Sequence, residues 1–411
     1  MNRIVSMAVL AAFIVGSDAR ADWPQWRGPA RNGVAATAVT ARWPAGSLTR
    51  GWSIDVGEGH SSPVITGDRV YVHSRVGADE VISAFAIANG RRLWSHKEPV
   101  AYTPTSAAAG HGSGPKATPL LHQGRLYAFG ITGIVTCLDM ATGRLVWRRD
   151  FSPQFKEPYP VFGAAQSPLA DGDRVVVHVG GAAGGALIAF DAATGVDRWT
   201  WAPSGDGPAY ASPIIATIHG VRQVVTFTEK RVAGVAAADG SPLWSAPFTT
   251  MYDQNAVTPV VSGDLVIVSG IEKGVTALRI HRESGGWTAR PAWEAKDASF
   301  YMSSPVVVGA RLIGFSHRRK GQLVALDLAT GRQAWAGPGR QGENASLVVA
   351  GPDLLVLNDG GELLVLKADA DKFAPVATYG VAESATWAHP AVAPNAILVK
   401  DVRRLTLWRT S

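Results

Sequence analysis

Five times along this chain the same phrase returns: an apolar stretch, an Asp or Ala, a short linker, a Gly, and a Trp four residues after it. Residues 137–147, 189–199 and 325–335 are near copies, and 84–94 and 234–244 are looser ones. Self-similarity at a spacing of roughly 40–50 residues belongs to solenoids, propellers and arrays, in which each unit buries its apolar faces only against its neighbours.

A second phrase opens each unit: Ser-Pro or Thr-Pro, a turn containing Gly, then an alternating strand. Its prolines are Pro63, Pro119, Pro168, Pro213, Pro259, Pro305 and Pro390, with Leu347 standing in for the seventh. A proline is tolerated at the first residue of a strand, where no ladder hydrogen bond is required of it. Each unit then reads as four short strands. In the Asp-x-x-Thr-Gly turn before the last of them, the Asp side chain caps the turn. Gly195 and its counterparts take the positive φ that a tight hairpin demands. Helical periodicity is absent, so the chain is all-β.

Eight openings need eight closings, and the chain supplies Trp52, Trp94, Trp147, Trp199, Trp244, Trp293, Trp335 and, more weakly, Tyr379. Trp52 precedes the first opening, whereas the last unit stops after about three strands. The start of the repeat region therefore completes its end. The expectation is an eight-bladed β-propeller of four antiparallel strands per blade, with its ring closed by the N-terminal strand so that sheet edges are removed. The repeated Trp residues pack between blades, each burying ~150–250 Å².

Residues 1–21 read as a secretory signal peptide. Arg3 is basic, residues 4–15 are apolar, and Ala19-Arg20-Ala21 forms a small-x-small cleavage site. Twelve apolar residues fall short of a membrane span, so the expected product is periplasmic or secreted after cleavage near Ala21. Residues 22–47 are expected to form an N-terminal strap along the outside of the propeller, which itself occupies 48–411. The net charge is +6. Its basic residues are scattered singly or in pairs such as Arg91-Arg92, with no stripe of interleaved aromatics, which argues against nucleic acid. One Cys, Cys137, excludes an internal disulfide. No later apolar run reaches transmembrane length, and a monomer is expected.

The opener Asp22-Trp23-Pro24-Gln25-Trp26-Arg27-Gly28-Pro29 and the Asp-x-x-Thr-Gly-x-x-x-Trp units resemble the PQQ-like (quinoprotein-type) β-propeller repeat family, and its BamB-like exported branch in particular. The resemblance covers residues 22–411 and implies the eight-bladed architecture. It also implies two alternative functions. One is pyrroloquinoline quinone (PQQ) chemistry with calcium, as an oxidoreductase acting on an alcohol or sugar. That branch is similar in repeats but carries adjacent cysteines, which a single Cys cannot supply, and no motif matches its calcium ligands. The other, preferred here, is a non-catalytic scaffold without cofactor or metal that binds a protein or cell-envelope polymer through its axial loops.

Loops held on a rigid scaffold are the usual seat of binding residues. Three places before each opening position stand His60, Lys116, Ala165, Tyr210, Ala256, Met302, Asn344 and Trp387. This ring differs from blade to blade while the strands repeat, as expected when one asymmetric ligand is recognised. The candidate ligand-binding set is His60, Lys116, Tyr210, Asn344 and Trp387 of this ring, with Gln166, Tyr252, Asp253, Asn255, Tyr301, Glu343 and His389 from nearby loops, where Phe162 also lies. No catalytic or metal residue is assigned.

Overall fold

The computed structural model describes residues 23–36, 48–154, 160–180 and 185–410. The expected signal peptide, and residues 22 and 37–47 of the expected strap, lie outside them. Eight four-stranded antiparallel sheets form the blades. The inner strands, which number blades 1 to 8, are Val64–Thr66, Leu120–His122, Leu169–Asp171, Ile214–Ile218, Val260–Ser262, Val306–Val308, Ala345–Ala350 and Ala391–Ala393. Where Leu347 replaces proline the ladder extends back to Ala345, paired with Asn358, making this the longest inner strand.

The ring closes as the repeat count requires. Leu48–Asp55 pairs antiparallel with Arg404–Thr410, with Trp52 opposite Leu407 and Ser53 opposite Thr406. The two hydroxyls of Ser53 and Thr406 meet at 2.9 Å.

Two repeated devices join the blades. The first is the Trp. Trp52, Trp94, Trp147 and Trp199 each donate the indole N–H to a turn carbonyl of the following blade, at Ile87, Met140, Ala192 and Ala237. Trp293 and Trp335 do the same to Leu328 and Ala370. Trp244 departs from the pattern and bonds Gln223 within its own blade. The fifth blade, which it faces, replaces the tight turn with the long hairpin Gly274–Glu283 and Gly286–Ala295. The second device is the Ser or Thr hydroxyl that precedes six of the seven opening prolines. His389 N donates to Ser62 Oγ, Ser62 N to Thr118 Oγ1, Thr118 N to Ser167 Oγ, and Ser167 N to Ser212 Oγ. Thr258 N donates likewise to Ser304 Oγ. The Ser/Thr-Pro dipeptide thus welds five pairs of neighbouring blades, each of these hydroxyls satisfying a buried amide next door.

Residues 23–36 correct one expectation. They do not run along the outside of the propeller but lie within its axial channel. Trp23 pairs with Ile65 of blade 1, and Pro24 O accepts from Leu121 N of blade 2. Arg31 donates to the carbonyls of Ser167 and Pro168 beside blade 3, and Arg27 to Pro305 beside blade 6. Val34 bridges Val349 of blade 7 in parallel. Both guanidinium groups are buried. The physical reason is the channel itself: eight inner strands expose unpaired amides and carbonyls toward the axis, and an arginine-bearing segment satisfies several of them at once.

Candidate functional site

Above the strap, at the end of the channel from which the inner strands start, lies a cavity of about 160 Å³. All eight ring residues line it: His60, Lys116, Ala165, Tyr210, Ala256, Met302, Asn344 and Trp387. Their position follows from the repeat, since each stands three residues before the opening position of its inner strand. Trp26 of the strap also lines the cavity, with its indole N–H donating to Thr258 Oγ1 at 2.9 Å.

One wall is a chain of rings. His60 stacks on Trp387 at 5.2 Å, Trp387 meets the edge of His111 at 4.5 Å, His111 meets Phe162 at 5.1 Å, and Phe162 meets Tyr210 at 5.8 Å. Opposite, the Tyr301 hydroxyl donates to Gln254 Oε1. His60 Nε2 lies 3.1 Å from His111 O.

The cavity's electrostatics centre on Lys116. Its Nζ is buried without a hydrogen-bond partner, and burial pushes its pKa down to about 8 against the opposing field of Glu80. Burial, then the Lys116 charge, push the His60 imidazole down to about 3 and lower His111. Burial also raises Tyr210 and Tyr301. Asn344 is buried with neither Nδ2 nor Oδ1 hydrogen-bonded. Among the described residues, no carboxylate lines the cavity.

The remaining candidates lie elsewhere. Gln166 is buried and donates to Ala209 O. Asn255 is fully buried and clamps three carbonyls, of Thr228, Glu229 and Phe248, through Nδ2. His389 packs between Trp23 and Trp26, and burial holds it near 3. These three support backbone and strap rather than facing the cavity. Glu343 is exposed, and its amide bonds Asp359. Tyr252 is 77% exposed at φ 59°, followed by Asp253 at φ 54°. Two successive non-glycine residues in the left-handed region hold that loop in a strained shape. His111, Gln254 and Thr386 line the cavity outside the ring alignment, as does Trp26, which the repeat does not reach because the strap stands outside it. The signal for Trp26 is the tryptophan-rich, arginine-bearing opener.

PQQ with calcium does not fit this lining. A hard cation takes six to eight oxygens, usually including carboxylates, whereas the cavity offers an amine, two imidazoles, hydroxyls and amides. The single cysteine, Cys137, is a buried thiol in blade 2. No cluster of His, Cys, Asp or Glu among the described residues forms a metal site.

The sequence pattern of the family described as outer membrane protein assembly factor BamB matches residues 46–110, 103–337 and 288–374. BamB of Shewanella oneidensis is 24% identical over 278 residues, covering 62% of this chain and 65% of that protein. The quinohemoprotein alcohol dehydrogenase ADH-IIG of Pseudomonas putida is 26% identical over 166 residues, covering 38% of this chain and 21% of the dehydrogenase. The crystal structure of BamB from Moraxella catarrhalis superposes with a TM-score of 0.63 at 16% identity, covering 89% of this chain and 98% of that one. The aligned region thus spans less than two thirds of either sequence relative's own length.

Proposed function

We infer the function of this chain from the family to which it belongs, that of the outer membrane protein assembly factor BamB with its PQQ-like repeats. Within that family this chain acts as a non-catalytic propeller scaffold. It is exported, works in the cell envelope, and binds a protein partner through the loop face around its axial cavity. Among the described residues no helix is long and apolar enough to cross a membrane. The name of the BamB relatives points to outer membrane protein assembly as the process served.

The observation that carries this reading is the contrast between welds and ring. The Ser/Thr-Pro and Trp positions repeat around the axis. The eight residues lining the mouth differ at nearly every blade and mix aromatic, amide and cationic groups. Such a mixture on a rigid concave face is the composition of recognition surfaces. The quinoprotein reading is disfavoured by a lining without carboxylates.

The test is a triple variant, His60→Ala, Tyr210→Ala and Trp387→Ala, in the full chain. It should unfold within a few degrees of the parent, since none of the three belongs to a weld. It should also lose co-purification with the outer-membrane assembly proteins that the parent retains. Undiminished recovery of those proteins would refute the axial-face assignment.

A further inference from the structure

We propose that the axial cavity is a receptor for a carboxylate borne on an apolar body, and that the natural bearer is the C-terminus of a polypeptide. The inference rests on the reading above that the loop face takes a protein partner, and it names the part of that partner which enters.

Four features converge. First, the cavity holds an ammonium group without a counter-charge: Lys116 Nζ is buried with no partner, and no carboxylate lines the space. A buried charge is retained where something pairs with it, and no carboxylate of the lining reaches Lys116 Nζ, so its direct counter-charge is an anion from outside. Glu80 does not serve, because it is engaged by His73 Nε2 at 3.1 Å and by Ile131 N at 2.9 Å. Second, Asn344 presents a donor and an acceptor side by side, both buried and both unpartnered. A side-chain amide in that state is complementary to a backbone peptide unit, its Nδ2 to a C=O and its Oδ1 to an N–H. Third, the rings of Phe162, Tyr210 and Trp387 offer an apolar wall for the residue between carboxylate and peptide unit. Fourth, the cavity is blind. Trp26, anchored on Thr258, stands across its inner end with the strap behind it. A closed pocket accepts the end of a chain and not a segment passing through. A small aromatic acid would satisfy Lys116 and the rings but leave the Asn344 pair unmet.

Three probes separate these sources: a fluorescent heptapeptide ending in Phe with a free carboxylate, the same peptide amidated, and 3-phenylpropanoate as competitor. Anisotropy titrations at pH 7 on the full chain should show the acid binding at least tenfold more tightly than the amide. Lys116→Gln should bring the acid down to the amide's affinity and leave the amide unchanged, while Lys116→Arg retains the preference. Asn344→Ala should weaken acid and amide alike. Asn344→Asp, nearly isosteric, should weaken the acid more than the amide. Equal binding of acid and amide, or a preference surviving Lys116→Gln, overturns the proposal. Competition by 3-phenylpropanoate at the peptide's own concentration range overturns the polypeptide assignment. If amidation is without effect while the triple variant still loses its partners, the loop-face reading stands and this inference falls.

Discussion

Trp147 of blade 2 and Gly195 of blade 3 form one joint. The indole donates to Ala192 O at 3.1 Å and covers the glycine so closely that a Cβ there would lie 2.7 Å from the ring. Gly195 also has φ +71°. The same closeness recurs between Trp94 and Gly143 at 2.4 Å and between Trp293 and Gly331 at 2.3 Å. The Gly and Trp of each repeated phrase therefore never serve each other. Trp52, Trp94, Trp147, Trp199 and Trp293 each dock on the Gly of the next unit, so the phrase repeats because the interface repeats.

Gly195→Ala adds two costs, a left-handed backbone and a collision with Trp147, and should destabilise by ~2–3 kcal/mol. Gly172 is the control: its φ is +62° but nothing lies within 4 Å of its Cβ position. Gly172→Ala should cost only ~1 kcal/mol. Denaturant unfolding of the two variants against the parent measures the difference, and equal losses would show that the indole contact carries no weight.

The buried histidines set an acid limit. Burial holds the His178 imidazole near pH 3, and neither ring nitrogen has a hydrogen-bond partner. In the unfolded chain such a group takes up a proton below ~6.5. Between those values the unfolded state binds the extra proton, so stability falls as pH falls through that window. His178→Leu should remain folded at pH 7 and lose ~2 kcal/mol less than the parent between pH 6 and 4.5, about 1.4 kcal/mol per proton per pH unit. Urea titrations at the two pH values decide it.

The strap should behave as a structural axle. Arg27 and Arg31 send their guanidinium groups to carbonyls beside blades 6 and 3, three blades apart around the channel. Hydrogen bonds from charged donors contribute ~1.5–3 kcal/mol each. Arg31→Met should lower stability by ~3 kcal/mol, leaving carbonyls of Ser167 and Pro168 unpaired. A loss below half of that, by denaturant unfolding, would mean that the strap merely rests in the channel.

Titration with PQQ and Ca²⁺ should give neither cation-dependent stoichiometric binding nor dye reduction, because the cavity lining has no carboxylate to hold the cation. Calcium-dependent saturation at one equivalent, followed by absorbance, would restore the oxidoreductase reading.

What the sequence disclosed was whatever the repeat enforces. Blade number, ring closure through Trp52 and the eight cavity positions all follow from aligning Pro63 with its successors, since a repeated interface needs repeated residues. The strap has no counterpart in the repeat, so its motif gave no direction, and the free carbonyls that draw it inward exist only once the ring has closed. The polar candidates divided for a similar reason. Asn344 and Asn255 are equally plausible in sequence, yet one faces the cavity unpartnered and the other spends its amide on three backbone carbonyls. Which of these an asparagine does depends on the nearest unpaired carbonyl, and spacing along the chain does not report that.

The most direct test of the scaffold account is photocrosslinking from single positions in the full chain. Tyr252, 77% exposed, follows Phe248 and Thr250 on the way to the cavity residues Gln254 and Ala256, whereas Val196, 61% exposed, lies on a turn between blade strands. A photoreactive residue at 252 should yield a discrete adduct with an outer-membrane assembly protein, and one at 196 should not. The same adduct from 196 alone would place recognition on the outer rim and contradict the axial face.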